Sequence, residues 1–339
     1  MIKYLQTILL CVLLTNCNHK PIKKFDWLAG GCTPKNYPIH LYTGNYIFED
    51  GNQLYIPVPY KGDGDGWGSR GTTHVVGEQY KPIPIRLTLY WMSFAEKKWY
   101  QGSWELPQKK IIALFEKGFI DRRTNKKDNY TKIVTGMAPN GVVVVWLSGA
   151  GYVKEVARFQ AEEATWPSME KLMPGNPTIS KEQYLSLNST VEAYLAKNGI
   201  PTGLWDYYRI RYNWHPKINL LDEGTKLKIV TSHFFNGELE TWVVGRIDGW
   251  ETRAIPKRCV IHWETKLFKY TTIITLDDRT IFNTFQTAFG NETNQRADFT
   301  VTLENRKVKD VFLQIGAIKT PVIPKQIKQY KYPKKNAPK

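Results

Sequence analysis

The chain has 339 residues, 42% of them hydrophobic and 13% aromatic, with a formal charge of +16. That composition excludes a disordered polymer and gives a chain this long a sizeable core, in one large domain or two. Four cysteines exclude a disulfide scaffold, and the six histidines show no metal-ligand spacing.

Met1–Cys17 reads as an export signal, with Lys3 at its start and a short apolar run over Thr7–Leu14. It ends Leu14-Thr15-Asn16-Cys17, similar to a bacterial lipobox in which the signal is cut before a Cys that then takes acyl chains. Asn16 stands where Gly, Ala or Ser is usual, so an ordinary signal with an incidental Cys is the alternative. An acylated Cys17 is expected to hold the chain on a membrane, each buried CH₂ contributing ~0.8 kcal/mol. Residues 18–24 form a basic tether without the acids that follow the lipid-bearing Cys of many surface-exported lipoproteins. A lipid anchor in the outer membrane facing the periplasm is the expected location. Losing 1–17 removes only Lys3 and leaves +15. An exported chain of that charge favours an anionic envelope polymer or an acidic protein as partner. Nucleic acid is not expected behind an export signal, and no motif for it occurs.

Residues 25–166 read as a first β-rich half. Gly62-Asp63-Gly64-Asp65-Gly66 alternates acids and glycines like the start of a calcium loop, but lacks the terminal Glu and reads as a turn. Ile83–Leu147 carries the clearest pattern. Ile85, Leu87, Leu89 and Trp91 alternate with polar residues, and Lys98–Glu105 gives a second strand. Pro107 then opens a helix with Ile111, Leu114 and Phe115 on one face and Gly118 at its end. Tyr130–Met137 and Val142–Leu147 form a second hairpin about Pro139-Asn140-Gly141, and the unbroken Val142–Trp146 run is expected to be covered on both faces. Val153–Glu163 reads as a helix.

Residues 167–202 read as a linker with a bridging helix, opened by a capping box at Ser180 and Gln183 and closed by Asn198-Gly199. Residues 203–324 form a second half, with strands at Leu204–Trp214, Lys226–Phe235 and Glu240–Ile247 and a primed turn at Asn236-Gly237. Hairpin, helix and hairpin return at Ile255–Ile315. Ile83, Pro84, Arg86 and Trp91 recur 172 positions later as Ile255, Pro256, Arg258 and Trp263. Leu106, Ile111, Phe115 and Phe119 recur 170 later as Leu276, Ile281, Phe285 and Phe289. The stretch Asp65-Gly66-Trp67 resembles Asp248-Gly249-Trp250, which makes Trp67 and Trp250 the candidate binding aromatics or a shared packing corner. Residues 325–339 carry six Lys and no acid and read as a disordered tail.

The expected fold is therefore mainly β (α+β): two similar β-hairpin/helix/β-hairpin halves packed as sheets with a few covering helices. Cys259 alternates with Ile261 and Trp263 and reads as a buried thiol, although an oxidising compartment permits a bridge to Cys32. No catalytic motif, metal site or cofactor site is found. Asp277-Asp278 reads as a helix cap, and Glu162-Glu163 as solvated residues.

Pro84, Trp91, Ser93, Glu96, Lys98, Trp99, Leu106, Pro107, Phe115, Gly118, Gly136, Pro139, Gly141, Val143, Val145 and Trp146 together resemble domain-of-unknown-function family 2931 (DUF2931) of bacterial lipoproteins. The resemblance implies an envelope lipoprotein and brings no activity or catalytic residues. A non-enzymatic binding module is the leading expectation. The alternatives are an immunity-type lipoprotein that neutralises an antibacterial toxin, and a periplasmic hydrolase.

Overall fold

The computed structural model describes residues 22–334, apart from 59–60, 62–65, 69–70, 74, 122–123, 177, 244–248 and 293–294. Cys17, the signal, most of the tether, Gly62–Asp65 and residues 335–339 lie outside the described residues.

The first half opens with β1 (Lys24–Asp26), β2 (Leu28–Cys32), β3 (Ile39–Ile47), β4 (Gln53–Tyr55), β5 (Thr72–Thr73) and β6 (Tyr80–Pro82). The hairpin β7 (Arg86–Ser93) and β8 (Lys98–Glu105) leads into helix α1 (Gln108–Lys117). A small hairpin, β9 (Phe119–Asp121) and β10 (Lys126–Asp128), precedes β11 (Tyr130–Ala138), β12 (Val142–Gly149), β13 (Tyr152–Gln160) and β14 (Glu162–Ala164). Helices α2 (Met169–Leu172), α3 (Lys181–Leu185), α4 (Ser189–Asn198) and α5 (Leu204–Tyr207) link the halves. The second half runs β15 (Arg211–Leu220), β16 (Lys226–Phe234), β17 (Leu239–Val243), β18 (Glu251–Ala254), β19 (Pro256–Glu264), β20 (Phe268–Thr275), α6 (Asp278–Phe289), β21 (Ala297–Glu304), β22 (Lys307–Ile315), β23 (Ile318–Pro321) and β24 (Gln326–Pro333).

Each half is a sandwich of two sheets, and the strand order repeats. The order β14-β8-β7-β3-β4 in the first half returns as β24-β20-β19-β16-β17 in the second. Likewise β13-β12-β11-β2 returns as β23-β22-β21-β15, with the β2–β11 and β15–β21 pairs both parallel.

The correspondence holds residue by residue. A bulge interrupts the β3–β7 ladder between Leu41 and Thr43, and the β16–β19 ladder between Leu227 and Ile229. The turn after β3 closes with Phe48 N–H to Asn52 C=O at 2.9 Å, and that after β16 with Phe234 N–H to Glu238 C=O at 2.9 Å. Trp27 and Trp214 are both fully buried. Trp27 Nε1 donates to the Pro82 carbonyl at 3.3 Å and Trp214 Nε1 to the Ala254 carbonyl at 3.1 Å. Trp91 and Trp263 are buried against Tyr100 and Tyr270, their cross-strand partners. Phe115 on α1 meets Phe25 at 5.0 Å, and Phe285 on α6 meets Tyr212 at 5.4 Å. The expected two-half, mainly β architecture is present, with equivalent aromatic faces buried in equivalent ways.

Local signals explain the helix ends. Asp277 accepts from Thr280 N–H at the start of α6, and Ser180 with Gln183 forms the expected capping box on α3. Gly118 and Gly290 end α1 and α6 with positive φ. All of β12 is buried, and Cys32 and Cys259 are both buried, with no disulfide between them.

Several expectations are corrected. Val153–Glu163 is strand, not helix: Val156 is the extra residue of a bulge opposite Val145/Trp146, so Val153 and Val156, three apart in the chain, are both buried and imitate a helical spacing. Glu162 and Glu163 accordingly sit on β14, where Glu163 pairs with Lys98 at 2.7 Å. The bridging helix is broken at Ser186 into α3 and α4, and α4 has its own cap at Asn188. Leu204–Tyr207 is a helical turn, and the strand begins only at Arg211. Gly237 N–H closes the turn on the Phe234 carbonyl at 3.2 Å, so Phe235 and Asn236 are its central residues; neither has the positive φ that a primed turn needs, and the expected type is not formed. Phe119 is on β9 whereas Phe289 is on α6, so that pair is not equivalent. The tail is ordered over Gln326–Pro333, which pairs along its length with β20. Its lysines stay in solvent while its backbone satisfies the exposed edge of β20.

The halves meet where β13 of the first pairs with β17 of the second, at Val153 and Leu239. This joins two of the sheets into one of ten strands. A buried polar network fastens the seam. Glu155 N–H donates to Glu238 Oε1 at 2.9 Å, Arg209 Nε to Glu155 Oε1 at 2.7 Å and Arg211 Nη1 to Glu238 Oε2 at 2.8 Å. Asn236 donates to Glu155 at 3.1 Å, and Trp146 Nε1 donates to the Asn236 carbonyl at 3.2 Å. Burial alone would raise the Glu238 carboxyl, but Lys154 and Arg211 outweigh it and hold the group below the ordinary range.

Candidate functional site

Two cavities flank the seam, and Val153 and Leu239 line both. One, of about 400 Å³, is walled by Phe119, Tyr130, Tyr152 and Trp242. The other, of about 470 Å³, is walled by Trp67, His233, Lys257, Arg258, Thr275 and a set of glycines. The glycines permit a close approach of backbones. A Cβ on Gly68 would lie 2.3 Å from the Gly237 backbone, and both residues have positive φ.

The second cavity concentrates positive charge. Arg258 donates to His233 Nε2 at 2.9 Å. A guanidinium has no acceptor, so Nε2 must be unprotonated. Burial first, then the Arg258 and Lys257 charges, lowers the His233 pKa to about 4. The ring is therefore a neutral prop for the Arg258 side chain at neutral pH. Lys257, although open to solvent, is drawn below the ordinary lysine value by partial burial and then by Arg258. Glu238 also lines the cavity, but its carboxylate is engaged by Arg211 and, at 3.7 Å, by Lys154. Asp278 acts on Lys257 electrostatically, but among the described residues no carboxylate lies within ion-pair distance of Lys257 or Arg258.

Comparison of the two copies isolates what is particular to this cavity. Arg258 pairs across its ladders with His233 and Thr275, and its counterpart Arg86 with Ile47 and Glu105. Lys257 accepts from Leu276 N–H at 2.9 Å as Ile85 accepts from Leu106 N–H at 2.8 Å. The second copy thus has His233 for Ile47, Lys257 for Ile85 and Thr275 for Glu105. In the first copy Arg86 has its carboxylate, Glu105, at 3.9 Å. The exchange adds a cation, removes an anion and leaves Arg258 without an acid.

The sequence-derived aromatics are not brought together. Trp67 lines this cavity, edge-on to Trp146 at 4.9 Å and tilted on Trp205 at 5.4 Å. Trp250 is 44% exposed, beside His215 at 5.6 Å and under Arg296 at 5.5 Å. They are not counterparts either. The β15–β18 ladder sets Tyr212 opposite Arg253, and the β1–β6 ladder sets Phe25 opposite Lys81, so Arg253 answers to Lys81. The resemblance of the two Asp-Gly-Trp stretches is therefore not a structural repeat.

His215 approaches Asp298 at 3.7 Å, while Lys217 holds the same carboxylate at 3.2 Å. His262 contacts Thr271 Oγ1 at 3.0 Å across its hairpin. Among the described residues no group of three or more His, Cys, Asp or Glu converges as a metal site, and no helix is long and apolar enough to cross a membrane.

No curated protein and no solved structure matches the chain. The family model described as protein of unknown function (DUF2931) matches residues 14–203, which span the first sandwich and the linker. That match covers more than half of the chain, and the chain belongs to the DUF2931 family.

Proposed function

We propose that this protein is a lipid-anchored envelope protein that binds, without catalysis, a phosphate-bearing glycan in the cavity beside the seam. The observation that carries the reading is the copy-specific exchange of Ile47, Ile85 and Glu105 for His233, Lys257 and Thr275. Lys257 and Arg258 supply charge-assisted donors for a phosphate, and Trp67 offers an apolar face to a sugar ring. Small-molecule sites favour such a recess between domains, with few convergent polar groups. The export signal and Cys17 support attachment to a membrane, with the outer membrane facing the periplasm as the proposed address. The immunity-type alternative draws support from the basic strand β24.

Calorimetric titration of the mature chain with glucose 1-phosphate, inorganic phosphate and glucose tests the binding. Saturable binding tightest for glucose 1-phosphate and weakened by salt is expected; equal binding of glucose and glucose 1-phosphate refutes the anionic site. Mass spectrometry of the protein made in a bacterial host tests the anchor: acyl chains on Cys17 support it, and a free mature N-terminus elsewhere ends it.

A further inference from the structure

β24 differs from every expectation for its composition and from its own counterpart. It lies at the end of the ten-stranded sheet, antiparallel to β20 over all eight of its residues. Each of those residues is exposed, including Ile327 at 45%, Tyr330 at 44% and Tyr332 at 52%. In the first half the same place beside β8 is taken by β14, three residues long and carrying Glu162 and Glu163. One edge is short and acidic. The other is long, aromatic and basic.

The strand is held firmly. Gln329 accepts from the Thr272 hydroxyl at 3.0 Å and donates to the Arg306 carbonyl at 2.9 Å. Lys325 pairs with Asp277 at 3.7 Å and Lys334 with Glu264 at 3.1 Å, one at each end. Between them Lys328 has no ion-pair partner among the described residues, and Lys331 lies over the Phe268 ring at 3.7 Å. The outward row of backbone N–H and C=O groups on such an edge is a template for another strand. This fold already uses its sheet edges in that way, since β13 and β17 join the halves edge to edge.

We propose that the outer edge of β24 takes up an extended acidic segment of a partner polypeptide as an added strand. Charge selects the occupant. Lys328 and Lys331 are exposed and three apart, so one stands on each side of the sheet and both sides repel a second copy of β24, whereas opposite charges set across neighbouring strands attract. Tyr330 and Tyr332 supply the apolar contact that an alternating acidic and β-branched segment would cover.

Hydrogen–deuterium exchange on the full mature chain tests this, with a capped peptide alternating Glu and Val over eight residues and its Lys–Val counterpart as probes. The Glu–Val peptide is expected to slow exchange of residues 326–333 at least tenfold, less so in high salt, and the Lys–Val peptide to leave it unchanged. The double variant K328E/K331E, whose fold is checked by circular dichroism, is expected to reverse that preference. Equal effects of both peptides, no protection by either, or protection outside β24 and β20 overturns the proposal. Protection that rises with protein concentration alone means a second copy, and protection by anionic vesicles but not peptide means a membrane surface; either result also overturns it.

Discussion

Restoring the acid that the first copy keeps is the sharpest perturbation of the seam cavity. In the first half Glu105 faces Arg86 across β7 and β8; in the second, Thr275 faces Arg258 across β20 and β19. The substitution Thr275→Glu places a carboxylate where the fold already accommodates one. Its effect on stability is expected to be under about 1 kcal/mol, as for other exposed cross-strand pairs. Its effect on binding is larger. A unit charge about 5 Å from a bound phosphate costs about 1 kcal/mol in bulk water and about 3 kcal/mol at the effective dielectric of a protein surface. Affinity for glucose 1-phosphate should therefore fall roughly 5- to 150-fold. Calorimetry reads the affinity and urea unfolding reads the stability. Unchanged affinity in a folded T275E variant would refute the assignment of the anion to Arg258 and Lys257.

Further outcomes follow from the same geometry. Trp27→Phe and Trp214→Phe each delete the bond of a buried indole to a backbone carbonyl, part-buried in the first case and buried in the second, so each should cost about 1–3 kcal/mol in urea unfolding; a cost in only one half would contradict their equivalence. Glu238→Ala leaves Arg211 and Lys154 without their carboxylate at the seam, and about 2–4 kcal/mol of destabilisation is expected, read by calorimetric melting. His40 and His233 have folded pKa values lowered to about 4, burial first and nearby cations second. The unfolded chain then binds more protons between pH 6.5 and 4, and stability falls as pH drops through that window, by up to about 2 kcal/mol per histidine at pH 5. Urea midpoints at pH 7.5 and 5 measure this, and His233→Gln should remove about half of the fall. Lys319 and Pro321 occupy in β23 the places of Val153 and Glu155 in β13, by register with β22 and β12. A lysine and a residue without an N–H blunt that edge, so the K319V/P321E pair is expected to produce concentration-dependent association in sedimentation.

The sequence carried the repeat because its strongest signals are local. Strand alternation about Trp91 and Trp263, the helix-opening Pro107 and Asp277, and the end glycines Gly118 and Gly290 each act within a few residues. What escaped was set by distant partners. Val156 imitates a helix only because it is the extra residue of a bulge, between Glu155 opposite Trp146 and Ala157 opposite Val145. β24 is a strand because β20 offers an edge, which no property of its lysines announces. Trp67 and Trp250 share neighbours in sequence, yet the ladder registers make Arg253 the counterpart of Lys81, which leaves the two tryptophans at unrelated places. The seam cavity was hidden for the same reason, since His233, Lys257 and Thr275 meet only across ladders. One signal was present: Lys257 interrupts the apolar pattern where the first copy has Ile85. A charge at a repeat position occupied elsewhere by isoleucine is a pointer to copy-specific chemistry.

The most direct measurement is a crystal structure of the mature chain soaked with glucose 1-phosphate. The expected result is a phosphate about 3 Å from the Lys257 amine and the Arg258 guanidinium, with the sugar against Trp67. Density for the phosphate on the β24 lysines alone, with the seam cavity empty, would contradict it.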